Sequence, residues 1–209
     1  MSHTYKLTYF DLTARAEPIR MLFSYGEIPF EDKRIQFGDW PKIKSTTPLG
    51  QLPILEIDGK VIPQTLAICR HVASLAKLDG KDAKENLALD VAVETLLDLQ
   101  KLGFESMFGS DAKKKEALEN LKKVIPIYFG QLEDYAKKHN GYVAFERLSW
   151  ADILFVCVYE LLVNVVGKEA VVSYPSLQKV KKNVLAAKGI NKWIKNRPTS
   201  QGYDLKQDL

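Results

Sequence analysis

Chemistry on a ligand is most legible between Gln51 and Thr65. Asp58-Gly59 separates two short apolar runs, Ile54–Ile57 and Lys60–Ile62. Asp-Gly in that setting signals a tight hairpin, because glycine accepts the positive φ that the turn needs. Leu66–Ala73 follows with apolar residues three and four apart, the spacing of a helix. A helix beginning at Gln64 or Thr65 presents first-turn amides with no intrahelical acceptor, and their direction favours an anion. Pro53 stands immediately before a strand, where a ladder has no use for a proline. A cis Leu52–Pro53 bond would turn the Leu52 backbone outward to pair with an extended peptide. The same residues, without such a ligand, make an ordinary hairpin and helix.

These groups need a scaffold, and the flanking sequence supplies one. Tyr5–Phe10 alternates as a first strand ending in Tyr9-Phe10, and Asp11–Arg15 is a polar turn. Ala16–Tyr25 has helical character, with Pro18 tolerated in its first turn and Gly26 as a stop. Phe30–Ile35 is a second strand, and Asp39-Trp40-Pro41 with Ser45–Gly50 form an irregular connection to the hairpin. The order β-α-β, then β-β-α, predicts a small mixed sheet covered by helices. Asp79–Lys84 is polar and contains a glycine, so it is the expected linker between residues 1–78 and 85–209.

Beyond the linker the pattern is helical, giving α/β plus all-α as the fold class. Glu85–Met107 and Ala112–His139 are long periodic segments separated by Gly109-Ser110-Asp111; Pro126 is placed to kink the second, and Asn140-Gly141 ends it. Ser149-Trp150-Ala151-Asp152 reads as a capping box opening Ile153–Val166, with Asp in place of the usual Glu. Tyr174-Pro175-Ser176 precedes a basic helix to about Ala187, and Gly189-Ile190 begins a last short helix ended by Arg197-Pro198.

Composition narrows the function classes. The chain has 209 residues, is 46% hydrophobic and carries a formal charge of +4. Its lysines fall in short clusters such as Lys113–Lys115 and Lys179–Lys182, which read as solvated helix faces rather than a nucleic-acid surface. Cys69 and Cys157 lie in separate apolar runs without metal or redox spacing, as expected of buried free thiols in a reducing compartment. Met1-Ser2-His3 leads directly into the first strand without an apolar signal core, and no apolar run reaches membrane-spanning length. A cytoplasmic protein independent of membrane and nucleic acid is expected.

Taken together, several motifs resemble one family. Tyr5–Phe10, Arg15-Ala16-Glu17-Pro18-Ile19-Arg20, Asp39-Trp40-Pro41, Gly50–Glu56, Gln64–Ile68, Ser149–Asp152 and Trp193–Pro198 are similar, in order, to the cytosolic glutathione transferases. The sigma class, which includes many invertebrate enzymes and a glutathione-dependent prostaglandin D synthase, is the nearest. The resemblance implies a thioredoxin-like N-terminal domain, an all-helical C-terminal domain, a homodimer, and glutathione as co-substrate with no metal. Tyr9 matches the catalytic tyrosine, whose hydroxyl donates to the glutathione sulfur, and Arg15 matches its supporting cation. Trp40, Lys44 and Gln51 match positions holding the glycine end, and Leu52 before Pro53 matches the residue that pairs with the cysteinyl backbone. Gln64 and Thr65 match the pair that binds the γ-glutamyl carboxylate. Asp98 matches an acid reaching that moiety's amine from the partner subunit. A hydrophobic electrophile would then be walled by Leu12, Ala14, Phe104, Phe108, Leu154 and Val158.

Some positions depart from the family pattern. Thr65 stands for the more usual serine, Ala14 for a common glycine, Leu49 for a phenylalanine and Leu97 for an acid of the prostaglandin enzyme. Phe145-Glu146-Arg147 replaces a glycine-containing turn. The expected activity is conjugation of the glutathione thiolate to hydrophobic electrophiles. The alternatives are a glutathione-dependent isomerase or peroxidase acting on a lipid, or a non-catalytic, crystallin-like structural or ligand-binding protein.

Overall fold

The structure, a computed structural model, describes residues 3–198 and 203–209. Met1 and Ser2, read above as leading into the first strand, lie outside the described residues. Two compact units divide the chain, Met1–Leu78 and Asp79–Leu209.

The first unit contains β1 (Tyr5–Phe10), α1 (Glu17–Tyr25), β2 (Glu31–Ile35), α2 (Trp40–Ile43), β3 (Ile54–Ile57), β4 (Lys60–Pro63) and α3 (Thr65–Leu75). Its four strands are ordered β2-β1-β3-β4. β1 runs parallel to β2, so a crossover must join them, and α1 is that crossover. The other two pairings are antiparallel. This is the thioredoxin-like arrangement. Leu7 and Leu55 from the sheet, Ile19, Met21, Leu22 and Phe23 from α1, and Ile68, Cys69 and Val72 from α3 are buried in its core. Burial pushes the Cys69 thiol up to about 12, so it stays protonated and inert.

Asp58 and Gly59, with φ of 49° and 85°, form the tight hairpin turn. β2 is an edge strand with little apolar character (Glu31-Asp32-Lys33-Arg34-Ile35). Asp32 nevertheless has partners, accepting from Arg20 Nε at 2.9 Å and Arg34 Nε at 2.8 Å.

One expectation for this unit is corrected. The connection after β2 is mostly helical, with a 3₁₀ turn at Phe37–Asp39, then α2, then a second 3₁₀ turn at Lys44–Thr46. Pro41 suits it, because proline in a first helical turn removes no intrahelical hydrogen bond. Gly26 ends α1 as expected; it does so in right-handed geometry (φ −73°), and the left-handed position is taken by Glu27 at φ 51°.

The second unit contains α4 (Ala83–Phe108), α5 (Asp111–Lys138), α6 (Trp150–Val166), α7 (Glu169–Val172), α8 (Pro175–Ala186) and α9 (Lys188–Asn196). Pro126 lies inside α5, which continues to Lys138. α6 is buried on every side from Trp150 to Glu160, as befits a helix with almost no polar stripe. Gly103 lets α4 approach it closely, since a Cβ there would meet Leu161 Cδ2 at 2.8 Å.

The capping box is present. Asp152 accepts from the Ser149 backbone at 2.8 Å, the Ser149 hydroxyl at 2.7 Å and the Val143 backbone at 2.7 Å. Burial outweighs these three donors and pushes the Asp152 carboxyl up to about 6.

The departure at Phe145-Glu146-Arg147 has its own structural use. Arg147 stacks over Phe145 at 4.0 Å and grips Glu85 at 2.9 and 2.6 Å, tying this turn to the start of α4. That pair holds the Glu85 carboxyl down to about 2.

α7 and a 3₁₀ turn at Leu205–Asp208 have no counterpart in the sequence reading, since one turn is too short to show a period. Arg197, read only as a helix end, is a fully buried cation that binds Glu160 and, at 2.6 Å, Asp204. It thereby fastens the final segment onto α6.

Candidate active site

An open cleft of about 410 Å³ lies in the first unit. Its walls come from the end of β1 (Phe10), the following loop (Arg15), the start of α2 (Trp40), the approach to β3 (Leu49–Pro53), the end of β4 (Pro63) and the start of α3 (Gln64, Thr65). Six sequence-chosen groups, Arg15, Trp40, Gln51, Leu52–Pro53, Gln64 and Thr65, therefore converge on one groove. Phe10, Leu49, Gly50 and Pro63 join them. Phe10 braces the Trp40 indole edge-on at 5.6 Å and stacks on Phe37 at 4.6 Å.

Backbone geometry opens the groove's polar end. The Leu52–Pro53 peptide is cis. Gln64 precedes α3 at φ 80° and ψ 107°, a left-handed conformation that a side-chain-bearing residue rarely adopts. Its side chain makes no capping bond, and the first turn of α3 carries no acid. The first amides of α3 therefore meet no anion from their own helix. Lys44 is outside the lining, but its side chain runs beside Gly50, where a Cβ would come within 3.5 Å of Lys44 Cε.

Tyr9 is not in the cleft lining; it is buried near the end of β1, with 6% of its surface exposed. The backbone N–H of Arg15 donates to its hydroxyl. Burial raises the phenol pKa, outweighing that hydrogen bond and the charges of Arg15 and Arg20. The group therefore stays protonated at neutral pH and keeps an O–H to donate. Arg20 was not singled out by sequence reasoning. The available signal was a cation embedded in the apolar run Ile19–Phe23.

The remaining positions are spread over both units. Leu12 is half-buried, and Ala14 has φ 39°. Phe104 and Phe108 lie one helical turn apart on α4, with Phe108 mostly exposed. Leu154 and Val158 are fully interior residues of α6. Asp98 is exposed on α4 and accepts from the Tyr128 hydroxyl at 3.4 Å. It borders a separate, mostly apolar groove of about 530 Å³ with Leu87, Val91 and Thr95. Among the described residues, no cluster of three or more His, Cys, Asp or Glu could hold a metal, and no helix is long and apolar enough to cross a membrane.

Known proteins share this plan. The family profile described as glutathione S-transferase, N-terminal domain, matches residues 5–74, and that of the glutathione S-transferase, C-terminal domain, matches residues 97–197. The chain belongs to the glutathione S-transferase family. It is 36% identical over 203 residues to glutathione S-transferase S1 of Drosophila melanogaster, covering 96% of this chain and 82% of that one. It is equally 36% identical over 198 residues to the hematopoietic prostaglandin D synthase of Mus musculus, covering 94% and 98%. Among solved structures, prostaglandin synthase D of Nilaparvata lugens superposes with a TM-score of 0.88 at 38% identity, over 94% of this chain and all of that one. The chain is thus an enzyme of the glutathione S-transferase family, and glutathione is the thiol that family uses.

Proposed function

We propose that this protein is a sigma-class glutathione transferase that conjugates the glutathione thiolate to hydrophobic electrophiles in cytoplasmic detoxification. The observation that carries the reading is the convergence of Arg15, Trp40, Gln51, Leu52, Gln64 and Thr65 on one groove. In this reading the uncapped start of α3 takes the γ-glutamyl carboxylate with Gln64 and Thr65. The Leu52 backbone pairs with the cysteinyl residue, while Trp40, Lys44 and Gln51 hold the glycine end. Asp98 of a second copy reaches the γ-glutamyl amine.

The chemical step needs thiolate at neutral pH, whereas a free thiol titrates near ~8.5. Lowering that value by about two units takes roughly 2.7 kcal/mol. A hydrogen bond from the protonated Tyr9 hydroxyl to the sulfur, beside the Arg15 charge, is a source of that order. The thiol proton leaves to solvent. The sulfur then forms a C–S bond to the electrophile, and in a substitution the leaving group departs with its electron pair. Leu12, Ala14, Phe104 and Phe108 suit an apolar second substrate; Leu154 and Val158, being interior, are left out of this proposal. Apolar exposure on α4, at Leu87 and Val91 beside the Asp98 groove, supports a homodimer.

The test is titration of bound glutathione by thiolate absorbance, in the wild type and in Tyr9→Phe. A thiol pKa well below the free value, moving back toward it in the variant, is expected. Binding without a shift in either protein would sink the transferase reading and leave a glutathione-binding scaffold. Sedimentation velocity tests the dimer.

The relatives named prostaglandin D synthase favour a second reading, a glutathione-dependent isomerase or peroxidase acting on a lipid with the same thiolate. Ala14 and Leu97 stand where that enzyme's pattern differs, so conjugation is preferred. Product analysis with a lipid endoperoxide against a small reactive halide separates the two.

A further inference from the structure

We propose that Arg20 is a positioning residue for Tyr9, its guanidinium fixing the loop that donates to the tyrosine hydroxyl and adding positive charge beneath the ring. The proposal rests on the reading of Tyr9 as the donor to the glutathione sulfur.

Arg20 is wholly buried, an expensive place for a cation unless its donors are used. Three segments use them. Nε donates to Asp32 of β2 at 2.9 Å. Nη1 donates to the Leu12 carbonyl at 2.7 Å and to Glu17 of α1 at 3.3 Å. Nη2 is buried without a hydrogen-bond partner, while the guanidinium carbon lies 6.0 Å from the centre of the Tyr9 ring. That separation is within reach of a cation–π attraction.

The Leu12 contact links this cation to the site. Leu12 opens the loop that passes through Ala14, held at φ 39°, to Arg15, whose backbone N–H donates to the Tyr9 hydroxyl. Fixing the Leu12 carbonyl therefore fixes the direction from which that hydroxyl is approached, and hence where its own O–H points. A lysine keeps the charge but cannot reach Asp32 and the Leu12 carbonyl with the same rigid fork.

Charge is balanced locally. Arg15, Arg20 and Arg34 stand against Asp11, Glu17 and Asp32, with Arg34 reaching Asp11 at 3.1 Å and Asp32 at 2.8 Å. Removing Arg20 leaves an excess negative charge beside the phenol. Its hydroxyl would then become a poorer donor to a thiolate.

The experiment compares wild type, Arg20→Lys and Arg20→Met as full chains. The Tyr9 phenol is titrated by ultraviolet difference absorbance against each protein's Tyr9→Phe counterpart, without glutathione. Steady-state kinetics at pH 6.5 accompany it. Arg20→Met should raise the phenol pKa by roughly one unit, the size of effect a lost charge several ångströms away gives in a partly screened site. Arg20→Lys should leave the pKa near the wild-type value. It should lower kcat roughly tenfold, the fold-change of one charge-assisted hydrogen bond, with KM for glutathione within about twofold.

An unchanged phenol in Arg20→Met, with activity falling only as the folded fraction falls, would overturn the proposal. If Arg20→Met does not fold, Asp32→Asn replaces it. That variant keeps the cation and removes a facing carboxylate, so the phenol pKa should fall, and no change overturns the proposal. A wild type that binds glutathione without shifting its thiol defeats the transferase reading alone, because the phenol titration still decides Arg20.

Discussion

The starts of α3 and α6 are built from similar material and are finished in opposite ways. Both helices begin beside a small polar residue, Thr65 in one and Ser149 in the other. At α6 the polar groups are buried and answered: Ser149 and Asp152 cap reciprocally, and Val143 donates to the second carboxylate oxygen. At α3 no side chain caps, no acid neutralises the first turn, and Gln64 is held in a rare left-handed conformation at the wall of an open cleft. The same local grammar yields a closed joint in one unit and an open socket in the other. What distinguishes them is whether the chain supplies the anion itself; at α3 it does not, and the proposed function assigns that place to glutathione.

The contrast breaks most sharply at Asp152. Asp152→Ala removes the acceptor for two buried backbone amides and the Ser149 hydroxyl, and should lower stability by about 3–5 kcal/mol. Urea unfolding followed by tryptophan fluorescence reads this, and a loss below about 1 kcal/mol would contradict the closed-joint description.

A pH series sharpens the same site, at roughly 2–3 kcal/mol. The folded Asp152 carboxyl keeps its proton until about 6, whereas the unfolded one releases it near the ordinary carboxyl value of 3.8. The unfolded state therefore ionises first, so this group's contribution to stability declines as pH rises from about 4 to about 6 and is flat above. The expected slope should be missing from Asp152→Ala; an identical profile in both proteins would assign it to other groups.

At α3 the effect should fall on binding instead. Thr65→Val deletes a hydroxyl at nearly constant volume and should weaken glutathione binding about tenfold, with stability within about 1 kcal/mol of wild type. Thr65→Asp closes the socket from within. It should stabilise the helix by about 0.3–1 kcal/mol while repelling the carboxylate ligand. Calorimetric titration beside thermal melts separates the two effects, and unaltered binding by Thr65→Asp would remove α3 from the site.

The smallest effect is expected at Ala14, whose φ of 39° favours glycine. Ala14→Gly should raise stability by up to about 1 kcal/mol, measured by chemical unfolding.

Elements longer than about two turns were legible from periodicity, and the hairpin from Asp58-Gly59 alone. α2, α7 and the terminal 3₁₀ turn were not, because a single turn leaves no repeat and is held by context. The cleft's polar wall could be anticipated where helix starts and turns signal themselves, as at Leu52–Pro53 and Gln64-Thr65. Arg20 and Arg197 could not be found this way. Each is a cation with a decisive partner in another segment, Asp32 in one case, Glu160 and Asp204 in the other, and the Glu17–Arg20 spacing of three residues does not announce the meeting with Asp32.

Every residue lining the cleft falls between Phe10 and Thr65, in the first unit. In evolutionary terms, the proposed thiol-holding apparatus, Asp98 apart, is one heritable block. Substitutions at Phe104 and Phe108, on α4, can accumulate without touching it. A lineage can then try new electrophiles while its nucleophile stays the same.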